Sequence, residues 1–141
     1  MSAMAPTLRL EIVTPQAIVF SDDVNLVTLP AIDGQIGVYP QHLRLITQVV
    51  PGEIIVTKDG QDSLLAVGEG LVEITEERVA IVTDMAIPAD KIDEAAVEEA
   101  RQRAAARLRE KISDEEVASV NASMVRALAQ LQVKRRQRTR Y

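Results

Sequence analysis

The sequence predicts an α+β chain, an antiparallel β-sandwich or flattened barrel followed by a pair of helices, and three observations carry that reading. Short apolar runs between Leu8 and about Asp84 alternate with a period of two. Turn-forming residues separate those runs at close spacing, as all-β architectures require. At Ile87-Pro88-Ala89-Asp90 the composition then switches to alanine, glutamate and arginine, with no glycine or proline afterward. Two domains follow: residues 1–87 as the sandwich, and residues 88–141 as a helical hairpin with a basic tail.

Taken in order, Leu8, Leu10 and Ile12 alternate with Arg9 and Glu11. Val24, Leu26 and Thr28 continue the period, as do Ile54 with Val56, Val72 with Ile74, and Val79 with Ile81. Ser21-Asp22-Asp23, Pro51-Gly52 and Glu76-Glu77-Arg78 punctuate them. Asp59-Gly60 is a tight-hairpin signal between Ile54-Ile55-Val56 and Leu64-Leu65-Ala66-Val67, because both residues tolerate the positive φ that a primed turn needs. Gly68 and Gly70 flank Glu69 and mark a bend or bulge.

Pro30 to His42 reads as a stiff, bent loop at a sheet rim, with two prolines, two glycines and the chain's one histidine. Gly34 and Gly37 are free to take positive φ, while Pro30 and Pro40 fix φ and withhold ladder donors.

Asp93 caps a first helix running to about Lys111, with the ladder Ala96, Ala100, Ala104 and Leu108. Its acidic residues lie near the N-terminus and its basic ones near the C-terminus, as the helix dipole favours. Ser113-Asp114-Glu115-Glu116 is a capping box that starts a second helix, whose stripe is Val117, Val120, Met124, Leu128 and Leu131. The short join allows an antiparallel hairpin or a long interrupted rod. Each side chain of the second stripe can contribute at most about 1.5–3 kcal/mol on burial. The facing ladder is mostly alanine, so the interface is expected to be thin.

Composition excludes several functions. The chain has 141 residues, 47% hydrophobic, with one Phe, two Tyr and no Trp, so stacking platforms for bases or sugars are nearly absent. It has no cysteine and one histidine, leaving no thiolate chemistry and little scope for zinc. No run approaches the roughly 18 apolar residues that span a bilayer, and Met1 to Thr7 has no signal-peptide pattern, so a soluble or peripherally docked protein is expected. Of 16 Lys and Arg, five lie in the last eight residues, namely Lys134, Arg135, Arg136, Arg138 and Arg140, leaving 11 to set against 21 Asp and Glu. An acidic body with a cationic tip suits docking to an acidic protein surface and repels nucleic acid. His42, with Asp33 and Tyr39 nearby in sequence, is the sole candidate general base, and no nucleophile-elbow, zincin or phosphate-loop motif is present. From residues alone, a stand-alone β-sandwich module whose loop cups a ligand and a hydrolase built on His42 both stay open.

The order of features resembles the epsilon subunit of bacterial and chloroplast F-type ATP synthases. The specific parts are Gly34-Gln35-Ile36-Gly37-Val38-Tyr39-Pro40-Gln41-His42, the Leu45-Ile46-Thr47 to Pro51-Gly52 continuation, Val67-Gly68-Glu69-Gly70-Leu71-Val72-Glu73, and Val79-Ala80-Ile81-Val82-Thr83-Asp84 before Ile92-Asp93-Glu94-Ala95. The resemblance implies a sandwich of about ten strands and two helices in a non-catalytic, cofactor-free subunit of the rotating central stalk. Such a subunit would bind the gamma subunit and the ring of c subunits, and sit peripherally on the cytoplasmic face of a bacterial plasma membrane without inserting into it. It implies a ring-facing loop at Gln35 and His42 with Gly34, Gly37 and Tyr39 around them, and an approach to gamma at Thr47. It further implies helices that fold on the sandwich or extend to the alpha/beta catalytic head and restrain ATP hydrolysis, with Lys134, Arg135, Arg136, Arg138 and Arg140 as an inhibitory tail. Two departures stand out. His42-Leu43-Arg44-Leu45 replaces the family's frequent His-Ala-Pro-Leu. The nucleotide motif of some relatives, Ile/Leu-Asp-x-x-Arg-Ala, survives only as Ile92 and Asp93, with Ala96 in place of the arginine, so weak or no ATP binding is expected.

Overall fold

The structure, a computed structural model, describes residues 5–140 apart from the side chain of Arg140. Ten strands come first: β1 (Leu8–Val13), β2 (Ile18–Val24), β3 (Leu26–Ala31), β4 (Gly34–Val38), β5 (Leu45–Val49), β6 (Gly52–Lys58), β7 (Gln61–Val67), β8 (Gly70–Ile74), β9 (Arg78–Thr83) and β10 (Ala86–Pro88). A single 3-10 turn at Ala89–Lys91 leads to helices α1 (Glu94–Leu108) and α2 (Asp114–Arg140). The sheet order is β10-β7-β6-β3-β5-β8-β9-β1-β2, with β4 on the free edge of β3.

Strand β3 turns the corner. Its first residues, Leu26 to Thr28, pair with β6, and its last, Ala31, pairs with Val49 of β5. The sheet thereby folds over itself, and Leu10, Ile12 and Ile81 from one half share a core with Leu29, Ile54 and Leu65 from the other. The Asp59-Gly60 turn forms as its sequence requires, with φ of 52° and 79° and Lys58 paired to Gln61. One ladder departs from the antiparallel expectation: β1 and β9 run parallel, Arg9 to Val13 against Arg78 to Val82. They can do so because almost the whole domain forms the crossover between them.

Two other expectations change. The run Val24, Leu26, Thr28 is not one strand, since the Asn25 amide donates to the Thr57 carbonyl and its side-chain nitrogen donates to the Pro6 carbonyl. That break shifts the phase, and Val27, Leu29 and Ala31 point inward instead. The segment from Pro30 to His42 is also less a loop than half a hairpin. Pro30 lies in β3, Ile32 and Asp33 make the turn, Gly34 takes φ of 124°, and Gly37 lies within a strand opposite Thr28 without positive φ.

Strand β7 is apolar on both sides: Leu65 and Val67 enter the sandwich core, whereas Leu64 and Ala66 join Ala89, Ile92 and Val133 in a second cluster. That second cluster is where the helices dock. The Asp93 side chain accepts from the Ala96 amide at 3.2 Å and the Ser113 hydroxyl accepts from the Glu116 amide at 3.2 Å, so both helix starts are capped as the sequence predicts. The Glu116 carboxylate, however, pairs with Arg107 across the join. α1 ends at Leu108, three residues before the expected Lys111. Glu94 at the start of α1 meets Arg138 near the end of α2 at 2.8 Å, which makes the pair an antiparallel hairpin.

The helix stripes hold at most positions, with Ala100, Ala104 and Leu108 on α1 and Val117, Val120 and Met124 on α2 half-buried and Leu131 buried, and they fail at Ala96 and Leu128. Ala96 is exposed and Val97 takes its place beside the second cluster. Leu128 is 43% exposed, while Ala127, Ala129, Leu131 and Val133 are buried. α2 faces both α1 and the β6–β7 surface, so its buried arc is wider than one stripe. No residue of α1 is fully buried.

At Gly70 an added Cβ would lie 2.0 Å from the Val82 carbonyl oxygen, a backbone atom that cannot swing aside. Gly70→Ala should therefore cost about 2 kcal/mol or more, as overpacking does. A urea melt checks this, with a midpoint lowered by roughly 1 M expected for a small domain.

Candidate interaction surfaces

Alternation along β8, β9, β1 and β2 sends every second side chain away from the core. On the outer side, Leu71 pairs with Val82, Val82 with Val13, and Val13 with Ile18, so the four form one continuous cross-strand row. Leu71 is 56% exposed, Val82 59% and Ile18 67%. Ile46 on β5 adds another exposed apolar side chain to the same face. An open groove of about 540 Å³ runs there, lined by Val13, Thr14, Pro15, Leu71 and Val82. A contiguous apolar face of this kind is a candidate interaction surface. Thr47 is half-buried and stands opposite Val72, on the core-facing side of β5, and its neighbours Ile46 and Gln48 are the ones that alternate outward.

The residues of the Gly34–His42 stretch are divided between the two ends of the sandwich. Gln35 pairs with Pro30, beside Ala31, Val49 and Gly70 at one end. Past β4 the chain reaches the other end, where Gln41, at φ 65°, donates its amide to the Glu76 carbonyl at 2.7 Å. Tyr39 is 64% exposed and Leu43 84%. The His42 Nδ1 lies 2.6 Å from the Leu43 carbonyl, to which it donates as the Nδ1–H tautomer. Asp33, in the β3–β4 turn, is at the Gln35 end, so it and His42 do not form an acid–base pair. The hydrolase reading loses its dyad. Among the described residues, no cluster of three or more His, Cys, Asp or Glu could hold a metal ion.

Ile92 and Asp93 have structural work. Ile92 is 5% exposed within the second cluster, and Asp93 caps α1. Beside them an open groove of about 320 Å³ runs between the helices, lined by Met85, Ala96, Val97, Ala100, Arg126 and Ala127 among others. Arg126, the cation in that lining, lies 3.6 Å from Asp84. A polyphosphate would meet a lone guanidinium already paired with a carboxylate.

The basic tail is engaged within the chain. Lys134 Nζ donates to the Ala89 carbonyl at 3.0 Å, Arg135 lies 3.9 Å from Glu94, Arg136 lies 3.2 Å from Glu53, and Arg138 lies 2.8 Å from Glu94. The side chain of Arg140 lies outside the described residues. Sequence reasoning missed these acceptors because Glu53 and Glu94 are distant in the chain. It also missed the apolar row, although the alternation of Leu71 with Val72 and of Val82 with Ile81 held its signal.

Comparisons with known proteins agree along most of the chain. Residues 7–89 match the ATP synthase delta/epsilon chain beta-sandwich domain, and residues 90–135 match the long alpha-helix domain of the same chain. The ATP synthase epsilon chain of Herpetosiphon aurantiacus is 37% identical, over 94% of this chain and 98% of that one. That of Desulforamulus reducens is 36% identical, over 89% and 95%. Among solved structures, a chain of the Euglena gracilis mitochondrial ATP synthase OSCP/F1/c-ring assembly superposes with a TM-score of 0.66 at 18% identity, covering 99% of this chain and 85% of that one. A chain from the Tetrahymena thermophila central stalk and c-ring gives 0.57 at 10% identity, covering 94% and 99%. At such identities the structural likeness speaks for the fold.

Isothermal titration of the full chain with ATP should give no heat of binding up to about millimolar ligand, the weak end of the affinity scale. A micromolar dissociation constant would contradict the purely structural roles of Asp93 and Arg126.

Proposed function

The chain belongs to the ATP synthase delta/epsilon family, and from that footing we propose that it is the epsilon-type subunit of the central stalk, seating its sandwich between gamma and the c-ring. In this reading it performs no covalent chemistry and needs no cofactor, and it helps couple proton flow through the ring to ATP synthesis in the catalytic head. It reaches the membrane only by docking on the ring, which fits the absence, among the described residues, of any helix long and apolar enough to cross a bilayer.

The observation that carries the proposal is the bare row of Leu71, Val82, Val13 and Ile18. The helical hairpin covers the opposite layer at β6 and β7, which leaves this face for a neighbour. Gamma is the proposed occupant, with Ile46 and Gln48 supplying the contact that the resemblance assigns to Thr47. One end of β4 is the proposed ring contact, either Gly34 and Gln35 or Tyr39 and His42, with Gly37 between the two ends. Their separation means that one flat ring surface would engage one end, and the second end serves another neighbour.

The tail is proposed to restrain ATP hydrolysis when the helices extend, with Lys134, Arg135, Arg136, Arg138 and Arg140 meeting acidic surface on the alpha/beta head.

Leu71→Asp places a charge in the exposed row without disturbing the core. It should weaken capture of the cognate gamma subunit by roughly 30-fold or more, the scale of an interface hot spot; unchanged capture would count against gamma as the occupant. Truncation after Val133 should raise ATP hydrolysis by the assembled enzyme, and unaltered hydrolysis would remove the inhibitory tail.

A further inference from the structure

We propose that Glu73 fixes where the gamma subunit seats on the bare sheet face, by receiving a lysine or arginine side chain of that subunit. The inference rests on gamma being the occupant of that face. Residues two apart on a strand point the same way and stand roughly 7 Å apart, so the outward side chains of β5, β8, β9, β1 and β2 form parallel cross-strand rows. Next to the apolar row of Leu71, Val82, Val13 and Ile18 lies a second, which runs from Ile46 through Glu73, Ala80 and Glu11 to Ser21. A third holds Arg78, Arg9 and Asp23.

The charges in these rows are matched within the chain at every place but one. Arg78 meets Glu11 at 3.1 Å, and Arg9 donates to Ser21 at 2.8 Å and lies 3.5 Å from Asp23. Glu73 is exposed, and its carboxylate has no hydrogen bond or ion pair among the described residues. Its cross-strand neighbours are Ile46 and Ala80, and Leu71 stands two residues before it on β8, so apolar groups adjoin it on three sides. On the opposite flank of the apolar row, α2 borders the face: Ala118, Ala122 and Val125 share a groove of about 280 Å³ with Glu69 and Asp84, and Asp84 pairs with Arg126. A partner laid on the row therefore extends toward Glu73 and the arginines beyond it.

A surface that covers Leu71 and Ile46 takes water away from the carboxylate beside them. The loss of water from an unpaired carboxylate outweighs the gain from burying one aliphatic side chain. A partner that seats well must bring a cation there, one step along the strand from the group it sets against Leu71. The short Ala80 side chain lies between Glu73 and Glu11, whose backbones are two strands, roughly 10 Å, apart, and the stem of a lysine or arginine can lie across it. The apolar row alone lets a partner slide along it, and the placed charge removes that freedom.

The test measures capture of the cognate gamma subunit by the full chain. Glu73→Gln should weaken capture roughly tenfold and Glu73→Lys roughly 100-fold, and the loss should shrink as salt is raised from about 25 mM to about 500 mM. Glu99→Gln, at an exposed site on α1, should leave capture within about twofold of the parent. Both Glu73 variants should melt with the parent, since the side chain is exposed and holds nothing in the chain. Against Glu73→Lys, each lysine and arginine of gamma is then replaced singly by glutamate. One of these should restore capture to within about threefold of the parent, which a loss of packing would not allow. Capture unchanged by Glu73→Gln and Glu73→Lys, or no gamma variant that rescues Glu73→Lys, would overturn the assignment. Leu71→Asp separates the two readings. Capture indifferent to Leu71→Asp removes gamma from the face altogether, whereas capture that depends on Leu71 and not on Glu73 leaves gamma there and removes only the cation.

Discussion

The burial of β7 on both of its faces is the constraint from which the rest of the architecture follows. Leu65 and Val67 fill the space between the two halves of the sheet, and Leu64 and Ala66 form the floor on which α2 lies. A strand buried on both sides is the usual signature of a sheet covered by helices. Here it fixes which layer of the sandwich is covered from within the chain. The other layer keeps its outward side chains in solvent, and the protein gains one sealed face and one bare face from a single sheet folded at β3.

That asymmetry relates the two parts of the molecule to different tasks. The sandwich is rigid by construction, with Leu10, Ile12, Val24, Val27, Leu29 and Ile54 wholly removed from water. The hairpin is attached by a narrower set of contacts: α1 has no buried residue, and α2 contributes Ala127, Ala129, Leu131 and Val133. Alanine buries little area, and each helix must offset the conformational entropy lost on ordering. Two charged contacts add to that attachment, Arg136 with Glu53 at 3.2 Å and Arg126 with Asp84 at 3.6 Å, while Arg138 with Glu94 joins the two helices to each other.

The legible parts of the sequence were those decided locally. Asp59-Gly60, the caps at Asp93 and Ser113, and the alternation of Leu8, Leu10 and Ile12 all follow from interactions within a few residues or from a simple period. What escaped was decided by distant neighbours. Asn25 shifts the phase of β3 because its partners are Pro6 and Thr57. On α2 the predicted Leu131 is buried, but Leu128 is exposed and Ala127, Ala129 and Val133 are buried as well, because the helix answers to a sheet as well as to α1. The parallel pairing of β1 with β9 joins segments about 70 residues apart, for which no short-range signal exists. At the candidate surfaces, the Gly34–His42 stretch was recognisable as a unit of sequence. Its division between two ends was not, because a five-residue strand lies inside it. Glu53 carries no sequence mark at all, since only the fold brings it under Arg136.

Native-state amide hydrogen exchange on the full chain, resolved by residue, tests the account most directly. The hairpin should open as a unit while the sheet stays closed, so amides of α1 and α2 should exchange through an opening at least about 2 kcal/mol less costly than that for β8 and β9, within the range spanned by sub-global openings. Helical amides protected as strongly as those of Val72 and Ile81 would contradict it, and would make sandwich and hairpin one cooperative body.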